Sequence, residues 1–270
     1  MKKSVCHYSF HRTWKEENWD CRKLCEEVKS AGADAVDFHA GLVGSASGAA
    51  AVITAALDAT GLEISGVSMS NNFNTTDPDE FRKQIDTVKA WLPVAAQVKS
   101  PVSRIFGGHI KDRSNPQEIQ KGLDRILPAI EEVLTEAEKH GIILALENHG
   151  GLPCTGEEQA QVIERFNSPY LRATIDVGNY MQGGQEGHDG TAIAAKYAAY
   201  VHFKDNKKTG SGKHEACTVG KGDVDHLRCL ELLRDAGFNG YVALEYEGPD
   251  EERKGVSESL AFMNRVMEGF

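Results

Sequence analysis

Four stretches of the chain end an apolar, strand-like run on a residue that can bind a metal ion or carry a proton. The first run reaches Glu147, and later runs reach Asp176, His202 and Glu245. Three carboxylates placed together repel one another strongly unless a cation compensates them. Carboxylate oxygens with one imidazole nitrogen suit Mn²⁺, Mg²⁺ or Zn²⁺ without deciding among them. If the fold brings these runs together, the sequence predicts a divalent-metal site.

The elements that must position these residues follow a pattern of strand and helix signals, which alternate eight times without a linker-like break. The first predicted strand covers residues 5–10, and the strands that carry the four candidate ligands are the fifth to the eighth. Alternation of this kind implies a parallel sheet. A doubly wound sheet would carry a glycine-rich nucleotide-binding turn after its first strand, and none is found there. We interpret Gly183, Gly184, Gly210 and Gly212 as loop glycines, because they lack that context.

Capping residues punctuate the predicted helices. Asp77 and Thr155 are placed to begin helices, whereas Gly61 and Gly141 are placed to end them. Eight strand–helix units favour closure, so we predict an α/β fold, a single (β/α)8 TIM barrel that spans residues 1–270 as one domain. Catalytic groups in such a barrel lie at the carboxyl ends of the strands, which is where the four candidate ligands fall.

Composition excludes several classes of protein. The 270 residues are 40% hydrophobic and 26% charged, which is ordinary globular usage and disfavours disorder. A net charge of -10 without a Lys/Arg-rich run disfavours nucleic-acid binding. No window approaches the roughly 20 apolar residues of a membrane span. The 6 cysteines contain no Cys-x-x-Cys pair, which favours free thiols over a zinc motif, so we expect a soluble cytoplasmic protein.

Five short motifs together resemble one superfamily of enzymes. They are Leu-Glu-Asn-His at 146–149, Ile-Asp-Val-Gly-Asn at 175–179, Val-His-Phe-Lys-Asp at 201–205, Val-Gly-Lys-Gly-Asp-Val-Asp at 219–225 and Leu-Glu at 244–245. Their order and spacing resemble the xylose isomerase-like TIM-barrel superfamily. The sugar (phosphate) isomerase/epimerase branch, which includes ketose 3-epimerases and hydroxypyruvate isomerases, is the most similar. The resemblance covers nearly the whole chain.

The resemblance implies a cofactor and a reaction. Glu147, Asp176, His202 and Glu245 would bind one divalent ion, Mn²⁺, Mg²⁺ or Co²⁺, with Zn²⁺ as an alternative. The ion would stabilise the enediolate that forms when a carbon-bound proton leaves a ketose or hydroxy-ketone. Glu147 and Glu245 would act as acid and base on opposite faces of the sugar. We therefore predict a metal-dependent sugar isomerase or epimerase with a small-molecule, sugar-like substrate.

Three alternatives stay open at this stage. A lyase similar to the dehydroshikimate dehydratases would use the same four ligands to expel water, and a non-catalytic sugar-binding barrel would use them only to bind. The DNA-repair endonucleases of the superfamily bind three zinc ions, and His39 and His109 resemble two of their histidines. Two further ligands of that cluster are replaced by Asn179 and by Asp225 in the segment at 223–225. The missing ligands and the negative net charge disfavour the endonuclease.

Further residues are candidates for contact with the substrate. Asn179 stands where ketose 3-epimerases carry a histidine, and Lys204 shares the inward face of its strand with His202 because strand side chains alternate. The late-loop lysines Lys207, Lys208 and Lys221, with Lys204, would be available if the substrate carried a phosphate. A homodimer is also expected from the resemblance. The predicted substrate-binding residues are His7, Phe10, Arg12, Trp14, His39, His109, His149, Asn179 and Lys204.

Overall fold

The computed structural model describes residues 1–210 and 213–270 and contains a closed parallel barrel. Each strand pairs with its neighbours in chain order, and the last strand pairs with the first. This arrangement confirms the predicted (β/α)8 TIM barrel. Gly212 lies outside the described residues. The barrel strands are β1 (Lys2–Val5), β2 (Ala35–His39), β3 (Glu63–Ser68), β4 (Val102–Phe106), β5 (Ile143–Glu147), β6 (Leu171–Asp176), β7 (Ala198–Phe203) and β8 (Tyr241–Leu244).

The first strand lies earlier than the sequence predicted. A strand over residues 5–10 is wrong, because β1 ends at Val5 and a 3-10 helix follows over His7–Phe10. The prediction favoured apolar and aromatic residues and passed over the lysines of β1. Those lysines are tolerated at the amino end of the strand, where Lys2 reaches solvent and its Nζ lies 2.7 Å from Glu63 Oε2. The register is set by pairing, with Lys3 opposite Val242.

Ten α-helices occur within the described residues, and their ends follow the predicted caps. Asp77 accepts hydrogen bonds from the first turn of its helix, and Thr155 does the same for Glu158 N. Gly61 and Gly141 end their helices with φ of 67° and 66°, which glycine adopts without steric cost. The helices are α1 (His11–Glu16), α2 (Cys21–Ser30), α3 (Ala40–Val43), α4 (Ala49–Thr60), α5 (Pro78–Gln97), α6 (Pro116–His140), α7 (Gly156–Phe166), α8 (Gly187–Ala194), α9 (His226–Asp235) and α10 (Glu252–Val266).

The main apolar core lies between the strands and the surrounding helices, while part of the barrel interior is polar. Ser4 and Ser65 share a hydrogen bond of 2.6 Å inside the barrel, and Ser65 also contacts the Tyr200 hydroxyl at 3.1 Å. Buried hydroxyls of this kind are stable because they satisfy one another. Among the helices of the described chain, none combines the length and the apolar composition needed to cross a bilayer.

Two short antiparallel ladders lie beyond the carboxyl ends of the barrel strands. Gly108–His109 pairs with Gly151–Leu152 and so joins the loops that follow β4 and β5. Asn206–Lys208 pairs with His214–Ala216 after β7. The first ladder is tight at Gly107, where a side chain would meet the carbonyl oxygen of Leu152. That ladder therefore fixes the loops that follow the fourth and fifth strands.

Replacing Gly107 with Ala should open this ladder, because the opposing atom belongs to the backbone and cannot rotate away. Overpacking of this kind costs about 1–3 kcal/mol. We expect the free energy of unfolding to fall by that amount in urea titration. Gly210→Ala is the matched control, since a methyl group there would meet no atom of the described residues within 4 Å and the stability of this variant should stay unchanged. Equal stability of the two variants would contradict the close approach of Gly107 to the backbone of Leu152.

Candidate metal centre

The four candidate ligands meet at the carboxyl end of the barrel. Glu147 and Asp176 are the last residues of β5 and β6, His202 lies near the end of β7, and Glu245 directly follows β8. The register places Asp176 beside His202. One ligand atom from each of the four lies within 4.8 Å of the others, and all four side chains are buried. Adjacent parallel strands of matched register thus bring distant residues into one cluster.

Each carboxylate has one oxygen held by the protein and one left without a hydrogen-bond partner. Asp176 Oδ1 accepts from the backbone N–H groups of Gly178 and Asn179, both at 2.9 Å. Glu147 Oε1 accepts from Asn179 Nδ2 at 3.2 Å. Cys6 Sγ donates to Glu245 Oε1 at 3.6 Å. These contacts fix the orientation of each carboxylate group.

The remaining ligand atoms have no hydrogen-bond partner among the described residues. They are Glu147 Oε2, Asp176 Oδ2, Glu245 Oε2 and the two ring nitrogens of His202. Leaving a buried polar group without a partner costs about 1–3 kcal/mol, and more for a charge. Ligands about 2.1 Å from one ion lie at most about 4.2 Å apart, close to the spread of this cluster. The four residues therefore fit one divalent cation.

Two buried cations already stand against these carboxylates. Lys204 Nζ lies 3.0 Å from Glu245 Oε2, 3.1 Å from Glu247 Oε2 and 3.6 Å from Asp176 Oδ2. On the other side, Arg104 Nε lies 3.1 Å from Glu147 Oε2, outside hydrogen-bonding geometry. Charges this deeply buried are stable only when paired, so the cations are part of the site.

The cluster shifts the pKa values of its members in opposite directions. Burial, with the carboxylates of Glu245 and Glu147, raises the pKa of Asp176 to about 7 against the opposing effect of Lys204. Burial also disfavours the charged form of Glu245, but Lys204 and His202 outweigh it and lower that pKa. The same carboxylates raise the pKa of His202 despite its burial.

A cavity of about 290 Å³ adjoins the cluster. Of the four candidate ligands, only Glu245 is among the described residues that line it. A cavity of this size accommodates a small polar molecule. The lining residues are Tyr8, His39, Ser70, Asn71, Asn72, Gln84, Arg104, Phe106, His109, His149, Glu245 and Glu247.

Three of the predicted substrate-binding residues line this cavity, and two others touch the cluster. His39 shares a hydrogen bond of 2.8 Å with Ser70, and burial lowers its pKa to about 3. His149 stacks on Phe106 with ring centroids 4.0 Å apart, and burial lowers its pKa to about 4. His109 is the third predicted residue that lines the cavity. Asn179 and Lys204 contact the carboxylates directly, as described above.

The other four predicted residues lie away from the cavity. His7 is buried against Trp14, with ring centroids 4.2 Å apart, and Phe10 packs on Trp19 in the core. Arg12 donates to Glu252 Oε1 at 3.1 Å and to the backbone oxygens of residues 248 and 250. The 3-10 helix that replaced the predicted strand causes this difference, because it presents Tyr8 to the cavity instead.

Sequence reasoning missed Arg104, Tyr8 and Glu247. A charged residue within an otherwise uncharged strand was the available signal for Arg104. Glu247 follows Glu245 by two residues, the same spacing that links Lys204 to His202. His39 and His109 form no second group of metal ligands within the described chain.

Replacing Lys204 with Met removes the cation that three carboxylates share. Loss of one partner from a buried ion pair costs about 3–5 kcal/mol, so the thermal midpoint of the metal-free protein should fall by at least about 5 °C. An added divalent ion should restore most of this loss, because it compensates the same carboxylates. Calorimetry with EDTA and with Mn²⁺ measures both midpoints.

Lys208→Met is the control, because it removes only an exposed contact of 2.6 Å with Glu186 and should leave both midpoints nearly unchanged. If the thermal midpoint of Lys204→Met falls by the same amount with EDTA and with Mn²⁺, Lys204 and the ion do not share these carboxylates.

Comparison with known proteins places this arrangement in a family. The uncharacterized protein MJ1311 of Methanocaldococcus jannaschii is 22% identical over 165 residues, which cover 60% of this chain and 56% of that protein. The chain thus spans little more than half the length of this curated relative.

Two crystal structures share the fold over nearly their whole length. D-psicose 3-epimerase with D-tagatose, from Clostridium cellulolyticum H10, has a TM-score of 0.77 at 18% identity and covers 99% of this chain and 99% of that chain. The IolI protein with a bound zinc atom has a TM-score of 0.80 at 15% identity and covers 99% of this chain and 98% of that chain. The sequence model of the xylose isomerase-like TIM barrel family matches residues 25–266 of this chain. The chain therefore belongs to the xylose isomerase-like TIM barrel family.

Proposed function

We propose that this protein is a divalent-metal-dependent isomerase or epimerase of a ketose or related hydroxy-ketone. The observation that carries the proposal is the convergence of four buried ligand atoms that have no hydrogen-bond partner among the described residues. Glu147, Asp176, His202 and Glu245 would hold the ion. When bound, the ion polarises the substrate carbonyl and stabilises negative charge on neighbouring oxygens. A structural neighbour that processes a ketose and another with bound zinc support the assignment.

Glu245 is placed to move a proton at the substrate carbon, since it is both a candidate ligand and part of the cavity wall. Lys204 holds Glu245 in its ionised form, which is the form that accepts a proton. Glu147 is the proposed second acid–base group. Asn179 and Arg104 fix the orientation of Glu147 from opposite oxygens.

The charges around the cavity favour a substrate without a phosphate group. Four carboxylates, those of the candidate ligands and Glu247, are balanced by Lys204, Arg104 and one divalent ion. A phosphate group would add about two further negative charges to this balance. Two late-loop lysines are engaged elsewhere, Lys208 with Glu186 at 2.6 Å and Lys221 with Glu258 at 2.5 Å. We therefore assign the substrate to the uncharged sugars.

Metal content tests the first step of this proposal. Purified protein reconstituted with Mn²⁺ should retain about one ion per chain after gel filtration, measured by elemental analysis. His202→Ala should lose the ion, because the only nitrogen ligand is removed, whereas His188→Ala should keep it because His188 is exposed on α8. No bound ion in the wild-type protein, or equal retention by both variants, would rule out this site.

Replacement of either proposed acid–base residue should cost at least about a hundredfold in kcat, the scale of general acid–base catalysis. Glu147→Gln and Glu245→Gln would be compared on D-tagatose and other free ketoses by chromatography, with exchange of the carbon-bound proton followed by NMR in D₂O. Glu131→Gln is the control, because Glu131 is exposed on α6.

Retained activity in both Glu147→Gln and Glu245→Gln would rule out these two residues as the acid–base pair. Growth of near-ultraviolet absorbance from a conjugated product would instead identify a lyase that expels water.

A further inference from the structure

Arg104 is the largest side chain that the fold buries completely among the described residues, and it nevertheless forms part of the cavity wall. Arginine is almost never fully buried unless its charge is paired. Here the guanidinium lies in β4, at the point where the cavity meets the candidate metal centre. A functional role would explain why the fold keeps this residue there.

Three contacts fix the plane of the guanidinium. Arg104 Nε lies 3.1 Å from Glu147 Oε2, and Arg104 Nη1 donates to the carbonyl oxygen of Met69 at 2.6 Å. The guanidinium carbon lies 4.0 Å from the centre of the Phe106 ring, whose other neighbour in the stack is the His149 imidazole. The side chain is therefore held rigidly before any ligand binds.

Arg104 also keeps its charge and has donors to spare. An arginine side chain does not lose its proton in proteins, so the guanidinium stays charged. The guanidinium has five N–H groups, and the contacts with Glu147 and Met69 use only part of them. Lys204, in contrast, faces three carboxylates. Of these two cations, Arg104 is the one that lines the cavity.

We propose that Arg104 is a catalytic residue whose guanidinium binds the oxyanion that develops on the substrate, an inference that rests on the proposed function. When Glu245 takes a proton from the carbon beside the carbonyl, the electron pair of the C–H bond forms a carbon–carbon double bond. The C=O electron pair moves to oxygen, which becomes negative, and the proton remains on Glu245. A donor fixed in advance stabilises this charge more than it stabilises the neutral substrate.

The rigid stack is what separates this role from a purely structural one. A guanidinium needed only to balance Glu147 could sit anywhere around that carboxylate, including away from the cavity. Arg104 instead contacts Glu147 and also lines the cavity.

Two ligands of similar size test the proposal without a known substrate. Glycolohydroxamate is a planar weak acid whose ionised form mimics the charged intermediate, and hydroxyacetone is a neutral hydroxy-ketone. Their affinities for the Mn²⁺-loaded protein would be measured by water-proton relaxation. Arg104→Gln should weaken glycolohydroxamate binding by about tenfold or more and change hydroxyacetone binding by less than about threefold. The expected loss is smaller than the roughly hundredfold or greater loss in kcat caused by removing an oxyanion donor, because the ligand only partly mimics the transition state.

Arg104→Lys keeps the charge but loses the planar fork, so it should retain an intermediate preference for the anion. It also provides the measurement if Arg104→Gln does not fold. Arg82→Gln is the control, because Arg82 lies on the outer surface of α5 in an ion pair with Glu132, and both affinities should stay unchanged.

The outcomes distinguish this inference from the function on which it rests. Failure of the wild-type protein to bind Mn²⁺ would overturn the proposed function and the role of Arg104 together. Two outcomes would overturn the role of Arg104 alone. In the first, the wild-type protein binds Mn²⁺ but has no higher affinity for glycolohydroxamate than for hydroxyacetone. In the second, the Arg104 variants lose the same affinity for both ligands.

Discussion

Mutual repulsion of three buried carboxylates is the constraint on which this site depends. Glu147, Asp176 and Glu245 come together because the barrel brings the ends of neighbouring strands to one place. The interior offers little solvent to screen their charges, so each needs a nearby cation or a fixed donor. Arg104 compensates Glu147 and Lys204 compensates Glu245. The ligand atoms of the four residues lie close enough together to hold one ion.

The site has a charged floor and a wall that is mostly uncharged. The floor is made by residues at the strand ends, where side chains two residues apart, such as His202 and Lys204, point to the same side. Much of the wall comes from the loops after β3, β4 and β5, and the ladder at Gly108–His109 joins the last two of these loops. Buried imidazoles with lowered pKa values, together with amides, suit hydrogen bonding to hydroxyl groups.

The fold was predictable from sequence because its signals are local. Alternating strand and helix patterns, with caps such as Asp77 and Gly141, define eight units, and closure follows from their number. The approach of Glu147, Asp176, His202 and Glu245 was also predictable, since each lies at the carboxyl end of a strand-like run. Arg104 was not, because its partner Glu147 lies on the next barrel strand and nothing near it in sequence explains a buried charge.

An error at the first strand had a wider effect than its length suggests. With a strand over residues 5–10, Phe10, Arg12 and Trp14 were predicted to contact the substrate, whereas the 3-10 helix places Tyr8 at the cavity. The pattern of apolar residues could not reveal this, because the strand is defined by pairing with β2 and β8 and carries two lysines. Arg12, which was predicted to contact the substrate, has a structural role instead. Buried Glu252 accepts from the N–H groups of Arg12 and Thr13, which ties α1 to α10 and so supports the adjoining 3-10 helix that carries Tyr8.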